Sequence, residues 1–80
     1  MITAAQLRAA RALLGIDQKT LADMAGVSLP TIQRMEASEG TVRGNVDTLT
    51  KVVDALDRAG VELLYVGGRG VRLKEQPRND

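Results

Sequence analysis

The chain has 80 residues, which is enough for one small domain and too few for two. It contains neither Cys nor His, which excludes disulfides, thiolate and imidazole metal sites, and acid–base catalysis by histidine. Its 11 Lys and Arg residues nearly balance its 10 Asp and Glu residues, so the net charge of +1 excludes attraction of polyanions by bulk charge. Any contact with nucleic acid must therefore be local.

The same composition bears on location and chemistry. No apolar run approaches the roughly 18 to 20 residues of a membrane span, and the first residues do not begin a secretory signal. Asp and Glu are present, but no pair of them is placed with a nucleophile or a metal-binding set. We therefore expect a cytoplasmic protein that makes no membrane contact, needs no cofactor or metal, and is not an enzyme.

In chain order, the first predicted element is a helix that opens with a capping box. Thr3 is followed three residues later by Gln6, and Gly15 marks the end of the helix. The apolar stripe of this helix consists of Leu7, Ala10 and Leu14. Arg8 lies off the stripe and is expected to point towards solvent.

Two further short helices follow across a turn. Asp17 caps the first of them, over roughly Gln18 to Ala25. Ser28 then caps a third helix over 29–37, with Pro30 in its first turn, where a missing N–H costs nothing. The side chains expected to face inwards are Leu21, Ala22, Ala25, Ile32 and Met35.

A fourth helix is predicted after a loose stretch over 38–44. Asn45 or Asp47 caps it, and Gly60 ends it. Its apolar positions, which fall on one helical face, are Val46, Leu49, Val52, Val53 and Leu56.

The C-terminal part changes to the pattern of a β-hairpin. Strand-like runs at 61–66 and 71–74 are joined by a Gly-rich connection, which lacks the Lys-Ser/Thr of a P-loop and leads into no helix. The chain is thus predicted to be mainly α, with four helices over 1–60, a hairpin over 61–74 and a flexible tail over 75–80.

The segment from Gln18 to Glu36 carries the functional signal. Two helices that cross through a short turn need a small residue at the contact and a turn residue free to adopt positive φ, which Ala22 and Gly26 supply. The apolar residues that lock such a crossing are Leu21, Ala25, Val27, Ile32 and Met35. Because these positions coincide, the chain resembles the Xre/Cro family of phage-repressor-like helix-turn-helix proteins, over about residues 7–56.

The resemblance implies a small lambda-repressor-like domain that binds double-stranded DNA and regulates transcription. The alternative interpretation of the segment from Gln18 to Glu36, without a DNA-binding role, is an ordinary helical hairpin in a small bundle. The recognition helix would be 29–37, with its N-terminal residues in the major groove. The implied base contacts are Leu29, Pro30, Thr31, Gln33 and Arg34. Arg34 alone can make a bidentate contact to guanine O6 and N7, and the apolar Leu29 and Pro30 leave room for shape readout.

Phosphate contacts and one structural pair follow from the same resemblance. The candidate phosphate contacts are Gln18, Lys19, Ser28, Arg43 and Asn45. Gln18 begins a helix, where free N–H groups and the helix dipole also attract an anion. Arg11 and Glu36 match a family pair that ties the first helix to the recognition helix, so we expect Glu36 to serve folding and not base readout.

The hairpin is predicted to contribute to binding a second copy of the chain. A two-stranded sheet alone is marginal in water, and this one carries apolar residues on both faces. The candidate dimerisation residues are Leu63, Leu64, Tyr65, Val66, Val71 and Leu73. They fit either a homodimer or burial against the chain's own fourth helix. A dimer would place two recognition helices about 34 Å apart, on successive major grooves.

A second function stays open beside gene regulation. An antitoxin-type protein-interaction module would bind and neutralise a toxin protein. Because antitoxins with this fold often also repress their own operon, the two functions are compatible.

Overall fold

The computed structural model describes residues 2–75 and consists of four helices followed by an antiparallel hairpin. The helices are α1 (Ala4–Leu14), α2 (Gln18–Ala25), α3 (Leu29–Glu36) and α4 (Val46–Arg58), and the strands are β1 (Val61–Leu64) and β2 (Gly70–Leu73). The predicted fold class, mainly α with a C-terminal hairpin, is confirmed. Of the predicted tail, only Glu75 lies within the described residues.

Each helix begins at a polar side chain that accepts a hydrogen bond from its first turn. These caps are Thr3, Asp17, Ser28 and Asn45. The capping box of Thr3 and Gln6 is present, and Asn45, not Asp47, caps α4. Gly15 and Gly26 end α1 and α2 at φ values of 67° and 70°, in the left-handed region that glycine adopts without strain.

The core contains side chains from all four helices and from β1. Its largest fully buried members are Leu7, Leu21, Ile32, Met35, Val42, Val52, Leu56 and Val61. Val46 was expected in the apolar stripe of α4, yet it is 79% exposed. It is the first residue of α4 and precedes the turn at Leu49 with which the helix enters the core.

The stretch between α3 and α4 is held in place and is not loose as predicted. Val42 is buried in the core, and its N–H donates to the carbonyl of Ile2 over 3.0 Å. The N–H of Ala4 donates to the carbonyl of Gly40 over 2.9 Å, beside a β-bridge between Thr3 and Thr41. The start of the chain therefore pins the connection that leads into α4.

The hairpin packs on α1 and α4 of its own chain. Val61 lies in the core opposite Leu73, and the half-buried Leu63 lies opposite the half-buried Val71. On the other face, Glu62 forms an ion pair with Arg72. The apolar residues that stay exposed are Leu64, Tyr65, Val66 and Leu73.

A buried glutamine joins the hairpin to α1. The side chain of Gln6 is part of the α1 cap, and its Nε2 also donates to the carbonyls of Leu64 and Gly70, each over 3.0 Å. Since Gln6 is only 3% exposed, every one of these bonds forms away from water. One side chain thus satisfies both the start of the helix and the end of the hairpin.

Candidate nucleic-acid interface

The pair α2 and α3 forms the predicted helix-turn-helix. The N–H of Val27 donates to the carbonyl of Ala22 over 3.0 Å, which closes the turn after Gly26. The locking residues all pack in or against the core: Leu21, Ala25, Val27, Ile32 and Met35. Because the inner face of α3 is fixed in this way, its opposite face is presented to solvent.

The outer face of α3 carries the predicted base-contacting residues. Pro30, Gln33 and Arg34 are exposed as expected, whereas Leu29 and Thr31 are half-buried. Thr31 lies within hydrogen-bond distance of Ser28, with 2.8 Å between their hydroxyl oxygens, and its Oγ1 accepts from Nη2 of Arg34 over 3.3 Å. All five positions were expected to be exposed, and Leu29 and Thr31, in the first turn of α3, are only partly so.

A groove with positive charge lies between α3 and the start of α4. Its volume is about 230 Å³, and it is lined by Thr31, Arg34, Met35, Arg43, Gly44, Asn45 and Thr48. Within residues 2–75, no carboxylate lies at ion-pair distance from either arginine. The groove therefore joins two guanidinium groups with hydroxyl and amide groups, a set that suits phosphate and base edges.

Of the other predicted phosphate contacts, Asn45 lines this groove, whereas Gln18, Lys19 and Ser28 lie outside it. Gln18 donates from Nε2 to Oε1 of Glu36 over 3.2 Å, and Lys19 forms an ion pair with Asp23 over 3.4 Å. The Ser28 hydroxyl accepts from the N–H of Thr31 as the α3 cap. Asn45 is likewise a cap through Oδ1, which leaves its amino group available to an acceptor.

A bidentate ion pair fastens the end of α3 to α1. Nε of Arg11 lies 2.6 Å from Oε2 of Glu36, and Nη2 lies 2.8 Å from Oε1. Arg8 is exposed, as expected, and its Nη1 also donates to the backbone carbonyl of Glu36 over 2.5 Å. Sequence reasoning missed this contact because it depends on how α1 lies against α3, and spacing along one helix does not report that angle.

Electrostatics favour the charged form of this pair. Burial alone would raise the pKa of Glu36, but hydrogen bonds from Arg11 and Gln18 outweigh it and hold that pKa below its ordinary value. The hydrogen bond to Glu36 raises the pKa of Arg11 in turn. Glu36 is therefore a buried carboxylate whose charge is compensated, and the pair holds the end of α3 on α1.

A second, apolar groove runs along the other side of α4. Its volume is about 560 Å³, and it is lined by Ile2, Val46, Leu49, Thr50, Val53, Asp54, Asp57 and Tyr65. Tyr65 connects this groove with the exposed part of the hairpin, and the guanidinium of Arg69 lies 5.3 Å from its ring centre. The two grooves thus lie on different sides of α4, and the apolar one extends along the helix as far as Asp57.

Comparison with known proteins agrees with this geometry. The model of a helix-turn-helix family matches residues 7–63, which include all four helices except the first turn of α1. No curated protein matches the chain. Among the described residues, no helix has the length and apolar character needed to cross a membrane.

Proposed function

The chain belongs to the Xre/lambda-repressor-like helix-turn-helix family of DNA-binding regulators, and we propose that it reads a specific DNA sequence with α3 in the major groove. The observation that carries the proposal is the groove in which Arg34 of α3 and Arg43 before α4 lie together without a carboxylate partner in residues 2–75. Unpaired cationic side chains on a recognition helix and on the loop beside it suit contacts to base edges and to backbone phosphate.

Within this proposal the two arginines have different tasks. Arg34 lies on the exposed face of α3 and reads guanine through O6 and N7. Arg43 and the free amino group of Asn45 hold backbone phosphate, next to the N-terminus of α4 with its favourable dipole. At the other end of the interface, Gln18 and Lys19 stand at the N-terminus of α2 and contact phosphate there. Base and backbone contacts are then separable by mutation.

The first turn of α3 adds an apolar element to the readout. Pro30 is exposed and Leu29 is half-buried, and these two side chains offer methyl and methylene groups without a hydrogen-bond donor. Such atoms suit the methyl group of thymine. We therefore expect the selected site to contain a guanine under Arg34 and thymine towards the N-terminus of α3.

Selection from random duplex DNA, followed by titration of variants, tests the proposal. Arg34→Ala is expected to reduce discrimination at one guanine by about 1 to 3 kcal/mol, because a bidentate contact is lost. Lys19→Ala removes a phosphate contact and is expected to weaken all duplexes alike, with a smaller dependence on salt. Lys51→Ala, an exposed lysine of α4 outside both grooves, serves as the control for loss of one positive charge.

Two outcomes would contradict the assignment. If selection enriches no sequence, specific recognition is not the function of this surface. If Arg34→Ala weakens selected and random duplexes equally, Arg34 contacts phosphate and another residue of α3 reads the base.

We further propose that the protein acts as a homodimer through the hairpin. Val66 is 100% exposed, and three further apolar residues of the hairpin region, Leu64, Tyr65 and Leu73, are also exposed. Exposed apolar side chains concentrated in one element of a small domain suit a contact surface. Tyr65 also lines the apolar groove beside α4, so the surface offered to a second copy extends from the hairpin into that groove.

Light scattering at high micromolar concentration tests the dimer. The wild type is expected to have twice the chain mass, and Val66→Asp is expected to be a folded monomer, because its side chain is fully exposed within the monomer. Leu13→Asp is the matched control, since it charges an exposed apolar residue of α1 away from the hairpin. A wild-type monomer at that concentration, or equal loss of mass in both variants, would overturn the proposal.

A further inference from the structure

We propose that Thr31 is a positioning residue, which holds the guanidinium of Arg34 in the orientation that reads the base. This inference rests on the proposed function of α3 and concerns how specificity is produced there. The bond from Arg34 Nη2 to Thr31 Oγ1 and the contact of Thr31 with Ser28 carry it.

The three residues form a chain of hydrogen bonds along one face of α3. Ser28, Thr31 and Arg34 are spaced three apart, which places their side chains next to one another. The Ser28 hydroxyl accepts from the N–H of Thr31 and lies 2.8 Å from Oγ1 of Thr31. When the Thr31 hydroxyl donates to Ser28, its oxygen lone pairs face Arg34, which is always a donor.

Thr31 is suited to hold another side chain. It is β-branched, so helical backbone restricts its χ1 angle, and it is half-buried in the first turn of α3. Arg34 by contrast has a long side chain whose ordering at an interface costs conformational entropy. A guanidinium that is already directed towards the start of α3 loses less of that freedom when it binds guanine.

The positively charged groove between α3 and α4 explains why restraining Arg34 would affect specificity. Thr31 and Arg34 both line it, together with Arg43, so an Arg34 side chain released from Thr31 has phosphate as an alternative target. Phosphate contacts carry no sequence information, whereas a bidentate guanine contact does. Thr31 therefore acts on specificity more than on affinity.

A double-mutant cycle tests whether Thr31 acts through Arg34. Thr31→Val keeps the β-branched shape and removes the hydroxyl, Thr31→Ser keeps the hydroxyl, and both are combined with Arg34→Ala. The measurement is the ratio of affinities for the selected duplex and for the same duplex with its key guanine replaced. Thr31→Val is expected to lower this ratio about 3- to 10-fold, which the loss of one ordinary hydrogen bond produces.

The remaining variants separate positioning from direct contact. Thr31→Ser is expected to retain the wild-type ratio, and Thr31→Val is expected to change nothing further once Arg34 is Ala. Affinity for random duplex should be the same in wild type and Thr31→Val, and a thermal melt confirms that both are folded. A purely structural role of Thr31 would instead lower affinity for every duplex together with the melting temperature.

Three results overturn the inference. An unchanged ratio in Thr31→Val means that Arg34 needs no restraint. A loss that persists in the Arg34→Ala background means that Thr31 contacts DNA itself. If selection yields no site, the proposed function fails and the inference fails with it, whereas a selected site that depends on Arg34 but not on Thr31 leaves the proposed function intact.

Discussion

Replacement of Glu36 by Ala is expected to lower the free energy of unfolding by about 3 to 5 kcal/mol, the usual cost of breaking a buried ion pair from one side. The side chain of Glu36 is 4% exposed and accepts both guanidinium bonds from Arg11 and one bond from Gln18. Its removal leaves these donors without their acceptor at the junction of α1, α2 and α3. Urea or thermal unfolding, followed by circular dichroism, measures the change.

Glu39 provides the matched control. It is an exposed glutamate three residues further on and forms no ion pair within residues 2–75. Glu39→Ala is expected to change stability by no more than about 0.5 kcal/mol, as surface substitutions usually do. Similar losses in the two variants would contradict the assigned role of Glu36, because they would reflect the lost negative charge and not the buried pair.

Acid titration provides a second check on the same pair. The pKa of Glu36 in the folded protein lies below its ordinary value of 4.5, so its stabilisation is complete above that value and is lost as pH falls through the depressed pKa. The difference in stability between wild type and Glu36→Ala should therefore shrink in acid. Both proteins keep the contribution of Asp17, whose pKa is lowered by hydrogen bonds from Thr20.

Gln6→Ala is expected to lower the free energy of unfolding by about 2 to 4 kcal/mol, through lost hydrogen bonds and a cavity in the core. Nε2 of Gln6 donates hydrogen bonds to the carbonyls of Leu64 and Gly70, which lie 58 and 64 residues away along the chain. The substitution therefore removes both hydrogen bonds from this side chain to the hairpin, together with the part of the capping box that Gln6 contributes. Hydrogen exchange measured by NMR should show that β1 and β2 lose protection more than α2 does.

Thr3→Ala separates the two roles of Gln6. It removes the hydroxyl that caps α1 and leaves the bonds from Gln6 to the hairpin in place. Loss of a helix cap costs about 1 kcal/mol. If Gln6→Ala destabilises the protein no more than Thr3→Ala does, the hydrogen bonds from Gln6 to the hairpin contribute nothing to stability. That result would contradict the role assigned to Gln6.

Local features of the fold were predictable because short-range chemistry determines them. A cap needs only its own side chain and an N–H three residues on, and Asp17 and Ser28 both take this role. A left-handed helix end needs glycine, which Gly15 and Gly26 supply. The Arg11 to Glu36 pair came from the family pattern, and the structure confirms it as a contact between α1 and α3.

Long-range contacts were not predictable from spacing. The sequence predicts only one role for Gln6, as part of a capping box. The hydrogen bonds of its buried amino group to Leu64 and Gly70 depend on where the hairpin packs, which spacing does not report. Val42 looked isolated within a polar stretch, and only the strand-like pairing with Ile2 explains its burial. In the interface, the pairing of Arg34 with Thr31 could have been suspected from their spacing of three, whereas the groove shared with Arg43 required the angle between α3 and α4.

The near-neutral charge is compatible with DNA binding because of how the cations are distributed. Several positive side chains form ion pairs within the protein: Arg11, Lys19, Arg58, Arg72 and Lys74. Arg34 and Arg43 form no ion pair within the described residues, and both line the same groove. A single subunit should therefore bind DNA with modest affinity, which favours a dimer on a two-fold site. The antitoxin-type alternative stays a prediction.

Whether this surface reads a DNA sequence or merely holds DNA is tested most directly by one titration. The dissociation constants of the wild-type protein for the selected duplex and for a random duplex of equal length are measured at several salt concentrations. Specific readout predicts a ratio of at least about 1,000 at physiological salt, and both affinities should fall as salt rises. Equal affinities for the two duplexes at every salt concentration would contradict the account.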